Sequence, residues 1–120
     1  MSDTSIPPWL QEQLAKYEQL RQTLQSVLAQ KQQLDAEFAD IQRALEELKK
    51  ATADTPIYKF AGSIMIRVNK EDIEKDLEEK KELTSTRITV LAKQEERLRA
   101  NMQELQNKVT EALKPKQPPS

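Results

Sequence analysis

The chain has 120 residues, enough for one domain, of which 32% are charged and 37% apolar, with a formal net charge of −1. Two Phe, two Tyr and one Trp are too few for a thick globular core, because aromatic side chains supply much of the buried area of a compact domain. The absence of Cys and His removes disulfides, thiolate nucleophiles, imidazole bases and structural zinc sites, and a single glycine removes phosphate-binding loops and dinucleotide fingerprints.

These absences leave no catalytic constellation, no metal site beyond a carboxylate-only magnesium site, and no cofactor motif; an enzyme is not expected. Basic and acidic residues are interspersed rather than segregated, which speaks against nucleic acid as a partner. There is no positive segment followed by an apolar stretch at the N-terminus, and no run of about 18 apolar residues, so neither a secretory leader nor a membrane span is expected. The expected location is the cytoplasm.

In chain order, Pro7 and Pro8 precede a first helix expected over 9–50, with Pro8 suited to its opening turn. No Gly or Pro interrupts that stretch, and Leu, Ala, Gln, Glu, Lys and Arg dominate it. Its stripe steps by threes and fours through Leu20, Leu24, Val27, Lys31, Leu34, Phe38, Ile41, Leu45 and Leu48. An average step of about 3.5 residues keeps one narrow seam facing a partner helix, which is the coiled-coil pattern.

The segment 57–68 changes character, becoming rich in β-branched and aromatic residues. It reads as two short strands around Gly62-Ser63, a pair that suits a two-residue type II′ turn, with a longer loop as the alternative. The tight turn pairs Ala61 with Ile64, Phe60 with Met65, Lys59 with Ile66, Tyr58 with Arg67 and Ile57 with Val68. Both faces then carry apolar surface, and an isolated two-stranded hairpin is marginal in water. Pairing with hairpins of other chains in a larger sheet or barrel is the economical solution.

Asn69 is placed to cap a second helix expected over 70–114, with Glu71 and Asp72 near the positive end of its dipole. Its stripe reads Leu77, Lys81, Thr84, Ile88, Leu91, Glu95, Leu98, Met102, Leu105, Val109 and Ala112. Neither helix, at about 65 Å for about 1.5 Å per residue, can bury its seam alone. Their near-equal length predicts an antiparallel two-helix coiled coil within one chain. Pro115, Pro118 and Pro119 end the second helix, and 115–120 is expected to be a disordered tail rather than a proline-rich ligand.

This order of elements resembles the β-type subunit of prefoldin as found in archaea, over most of the chain. The local matches are Gln42-Arg43-Ala44-Leu45-Glu46-Glu47-Leu48, Tyr58-Lys59, Gly62, Ile66-Arg67-Val68 and Gln94-Glu95-Glu96-Arg97-Leu98. The Ile6-Pro7-Pro8-Trp9 start, the Pro-rich finish and Phe60-Ala61 before the hairpin glycine depart from the pattern. The resemblance implies a mainly α fold whose small hairpin assembles into an intersubunit β-barrel, in a hexamer of two α-type and four β-type subunits. It further implies capture of unfolded polypeptides at the coiled-coil tips without ATP, and transfer to a group II chaperonin.

Subunit assembly would then rest on Ile57, Tyr58, Phe60, Gly62, Ile64, Met65, Ile66 and Val68. If the helices run away from the hairpin, the chain ends meet at the far tip and bring Ile6, Trp9, Leu10, Leu14 and Tyr17 near Leu105, Val109 and Leu113, the candidate client-binding residues. Broad recognition suits such a surface because the hydrophobic effect is non-directional. The competing reading makes Leu20, Leu24, Leu105 and Val109 seam residues, and Trp9 and Leu10 a closure of the helix end.

Lys31 and Glu95 interrupt the two stripes at similar distances from Gly62-Ser63; they either pair across the seam or Lys31 extends to solvent on its aliphatic stem. Glu46, Glu47 and the Glu78-Glu79-Lys80-Lys81-Glu82 run read as solvated charged faces rather than paired catalytic carboxylates. A coiled-coil scaffold joining specific folded proteins is the alternative function for the chain.

Overall fold

The computed structural model describes residues 6–115 in the order α1 (Pro8–Lys50), β1 (Ile57–Ala61), β2 (Ile64–Val68) and α2 (Lys70–Leu113). The expected tail over 115–120 lies, beyond Pro115, outside the described residues. Contacts divide the chain into two units. One holds residues 31–90, with the hairpin and the adjoining halves of both helices; the other holds the terminal half of each helix, up to Gln30 and from Leu91 onward.

Helix α1 begins at Pro8, one residue before the expected start, because the fixed φ of proline suits the first helical position and its missing N–H would be unpaired there anyway. The Pro7 carbonyl accepts from the amides of Leu10 and Gln11 at 3.0 Å each, and the Gln11 side chain donates to the Ile6 carbonyl at 2.9 Å. Helix α2 opens on Asn69, whose Oδ1 accepts from the Glu71 amide at 2.8 Å while its carbonyl accepts from the Ile73 amide at 3.0 Å. This is an N-cap with both acceptors used.

Between α1 and β1 the chain turns at 52–55. The Thr55 amide donates to the Thr52 carbonyl at 3.1 Å, and the Thr52 amide donates to Thr55 Oγ1 at 3.0 Å. The strands then pair antiparallel in the expected register, from Ile57 opposite Val68 to Ala61 opposite Ile64. Gly62 has φ +64°, and among the described residues no other has positive φ, so Ser63 does not; that combination of signs belongs to type II′ and excludes type I′.

Within the 31–90 unit the helices run antiparallel: Phe38 shares a groove with α2 residues from Lys75 to Thr86, whereas Leu45 and Lys49, later in α1, face the earlier residues Glu71 to Glu78. Leu45 and Leu48 are buried on α1, and Thr84 on α2, at 7% exposure, is the buried polar residue of the unit. Half-buried Leu34, Phe38, Ile41, Leu77, Lys81 and Ile88 complete the three-and-four stepping. The Lys81 ammonium lies 5.9 Å from the centroid of the Phe38 ring, which explains how a lysine occupies a seam position: its stem packs and its charge meets the ring face.

The terminal unit repeats the pattern. Leu24, Val27 and Leu91 are buried, with Leu20, Leu98, Met102, Leu105 and Val109 half-buried. Thr23 and Val27 share a groove with Gln94 to Asn101, and Gln13 to Thr23 share one with Leu98 to Lys108, so this unit too is antiparallel. Ala112 is exposed, and the seam of α2 ends at Val109.

Candidate functional site

Apolar side chains open to solvent cluster at two places, one in each unit, with Leu83 and Val90 exposed separately on α2. In the 31–90 unit the cluster lies on the hairpin. Alternation puts Tyr58, Phe60, Met65 and Arg67 on one face, and all four are exposed, Phe60 the most at 78%. On the other face Ile64 and Ile66 are exposed, while Ile57, Ala61 and Val68 are half-buried.

With two strands in the sheet, each strand has one edge whose backbone N–H and C=O groups lack a ladder partner. All eight hairpin residues singled out by sequence therefore sit in one ten-residue ladder and its turn. The hairpin is held to the helices by short connections: Asn69 alone separates β2 from α2.

In the terminal unit the antiparallel run puts the first turns of α1 and the last turns of α2 at the same end. Ile6, Trp9, Leu14 and Leu113 are exposed there, whereas Leu10, Tyr17, Leu105 and Val109 are half-buried. The eight expected tip residues thus fall into an outward set and a seam set. Leu14 separates from its neighbours because the seam continues from Leu20 through Tyr17, Gln13 and Leu10, in steps of three, four and three, and leaves Leu14 beside it.

Gln13 was not among the expected site residues, and neither were Lys16 and Lys108. With Leu20, Leu98 and Leu105 they line an open groove, an apolar floor with polar rims. Lys16 lies 3.6 Å from Glu12 on its own helix. Further pairs in this unit run along the helices. The Glu18 carboxylate takes two hydrogen bonds from Arg21, at 2.6 and 2.9 Å, and these hold its pKa below the usual carboxylate value. Arg99 donates to Glu95 at 2.9 Å. Such exposed pairs are screened by solvent and organise helix surfaces rather than chemistry.

Among the described residues no group of three acidic side chains converges to hold a metal ion, and no helix is long and apolar enough to cross a membrane. The groove between Gln13 and Lys108 and the one beside Phe38 are open to solvent rather than enclosed.

Comparison with known proteins gives this arrangement a family. A prefoldin subunit family profile matches residues 11–116. The chain is 44% identical over 110 residues to a prefoldin subunit beta of Archaeoglobus fulgidus, covering 92% of this chain and 95% of that one. It is 37% identical over 108 residues to a prefoldin subunit beta of Sulfolobus acidocaldarius, covering 90% and 86%. The crystal structure of the prefoldin beta subunit from Thermococcus strain KS-1 superposes with a TM-score of 0.86 at 32% identity, over 93% of this chain and 98% of that one. Helix, single hairpin and helix therefore agree in sequence and in three dimensions with one set of relatives, and the chain belongs to the prefoldin subunit family.

Proposed function

We propose that the chain is a β-type subunit of a hexameric, ATP-independent chaperone, built with copies of itself and an α-type partner, that holds unfolded proteins and passes them to a group II chaperonin in the cytoplasm. The observation that carries the reading is the solvent exposure of apolar side chains at two separate places: the hairpin, and the end of the terminal unit. The hairpin residues Tyr58, Phe60, Ile64, Met65 and Ile66 would be covered by neighbouring hairpins in a shared barrel, which supplies the edge partners that a lone hairpin lacks.

Ile6, Trp9, Leu14 and Leu113 would stay open as the client-binding surface, with Leu10, Tyr17, Leu105 and Val109 supporting them from the seam. Each arm offers a small apolar area, so useful affinity arises when several arms hold one flexible chain at once. The work is binding and release, with no bond made or broken. The test is light scattering from a chemically unfolded client diluted into buffer without ATP. The assembled complex is expected to suppress aggregation; unchanged suppression after Ile6, Trp9, Leu14 and Leu113 are all replaced by Ser would reject the tip assignment. Binding of one folded protein with no effect on unfolded clients would favour a scaffold.

A further inference from the structure

We propose that Lys81 and Phe38 form a register lock, a contact that selects one alignment of α1 against α2 in the hairpin-bearing unit and rejects alignments displaced by one heptad. A two-helix seam of repeating aliphatic residues has a weakness: sliding one helix by seven residues returns similar side chains to the interface. Sliding by seven moves a helix about 10 Å at about 1.5 Å per residue. The six residues 51–56 between α1 and β1 have the reach to follow, since extended chain spans about 3.3 Å per residue. Something in the seam must therefore distinguish the registers.

The Lys81 ammonium rests 5.9 Å from the Phe38 ring centroid, in a groove also lined by Glu78, Glu82 and Ser85. A one-heptad slip replaces Phe38 with the residue seven places away on α1. In one direction that residue is Lys31, and two ammonium groups would be brought to one seam layer. In the other it is Leu45, at 6% exposure in the native register, and the cation would face a buried aliphatic side chain in place of the ring. Trp9, Tyr17 and Phe38 are the aromatic residues of α1 and α2 has none, so neither register displaced by one heptad offers Lys81 a second ring. The native contact is modest; the penalty on both neighbouring alternatives is what makes it selective. A polar residue in an apolar seam commonly trades stability for a unique alignment.

The test is disulfide capture in the full chain, which has no native cysteine. One engineered cysteine pair joins α1 to α2 within residues 31–90 in the native register, and a second pair is displaced by seven residues. The unsubstituted protein and Lys81→Arg, which keeps a cation over the ring, are expected to yield the native-register disulfide alone. Lys81→Leu and Phe38→Leu are expected to raise the displaced disulfide by roughly tenfold or more, with Lys81→Leu melting higher than the parent because the seam becomes aliphatic. An undisplaced cross-link in both leucine variants would overturn the proposal, as would a displaced cross-link of equal yield in Lys81→Arg.

Discussion

The ammonium of Lys70 donates to the backbone carbonyl of Ala51 at 2.8 Å, so the first residue of α2 closes the last turn of α1 across nineteen positions of sequence. Helix α1 ends without a glycine in the left-handed conformation, and its terminal carbonyls need partners from elsewhere. The lysine supplies one and brings positive charge to the negative end of the α1 dipole. Replacing Lys70 with Met keeps the stem and removes the donor; the expected loss is about 1 kcal/mol, read as a lower urea midpoint with unchanged slope.

At Asn69 the side-chain acceptor satisfies the Glu71 amide. Asn69→Ala is expected to destabilise by about 1 kcal/mol, and Asn69→Asp to be close to neutral, because aspartate offers the same acceptor and a charge suited to the helix start. Amide hydrogen exchange should report the change first in residues 70–74.

Gly62 is held at φ +64° with nothing within 4 Å of where a Cβ would stand. The cost of substitution is therefore conformational rather than steric crowding. Gly62→Ala should weaken the hairpin by about 1–2 kcal/mol and Gly62→Asn by less, since Asn tolerates left-handed backbone. Cross-strand contacts between Phe60 and Met65 in NMR spectra would measure it.

Phe60 and Met65 face each other on the exposed side of the hairpin. Replacing both with Ser removes apolar surface that the isolated chain leaves in water, so the helical circular dichroism should be retained. The expected change is in mass: mixtures with the α-type partner should give smaller species by light scattering. Retention of the full complex would show that the hairpin face is dispensable.

Arg21 lowers the Glu18 pKa through hydrogen bonding and charge. The sign follows from linkage: a carboxylate depressed in the folded state stabilises above its unfolded pKa, and that contribution is lost as pH falls through the folded value. In Arg21→Ala, the Glu18 titration followed by carbon NMR should move up toward the ordinary carboxylate range. The pair is open to solvent, so the shift should shrink in high salt.

Much of this architecture was legible in the sequence, for reasons visible at particular residues. Leu24, Val27, Leu45, Leu48 and Leu91 could be placed in the seam because a three-and-four spacing leaves few other faces to bury. The hairpin register was legible because Gly62-Ser63 permits a two-residue turn, which fixes every pair outward from it. The exposure of Leu14 follows from the same spacing, since the stepping back from Leu20 skips position 14 and puts Gln13 in the seam. The Lys70 cap and the seat of Lys81 on Phe38 join residues distant in sequence through flexible side chains, and no local pattern announces such contacts.

The tight turn at Gly62 also implies an order of events during folding. Strand partners next to it are separated by a few residues, Phe38 and Lys81 by forty-three, and the groove-sharing pair Leu20 and Leu105 by eighty-five. Loop-closure entropy rises with separation, so unassisted contacts between the chain ends are the slowest to find. Once the hairpin has closed, each seam layer brings the next within reach, and the helices join as a zipper that starts at the middle of the chain and finishes at its ends.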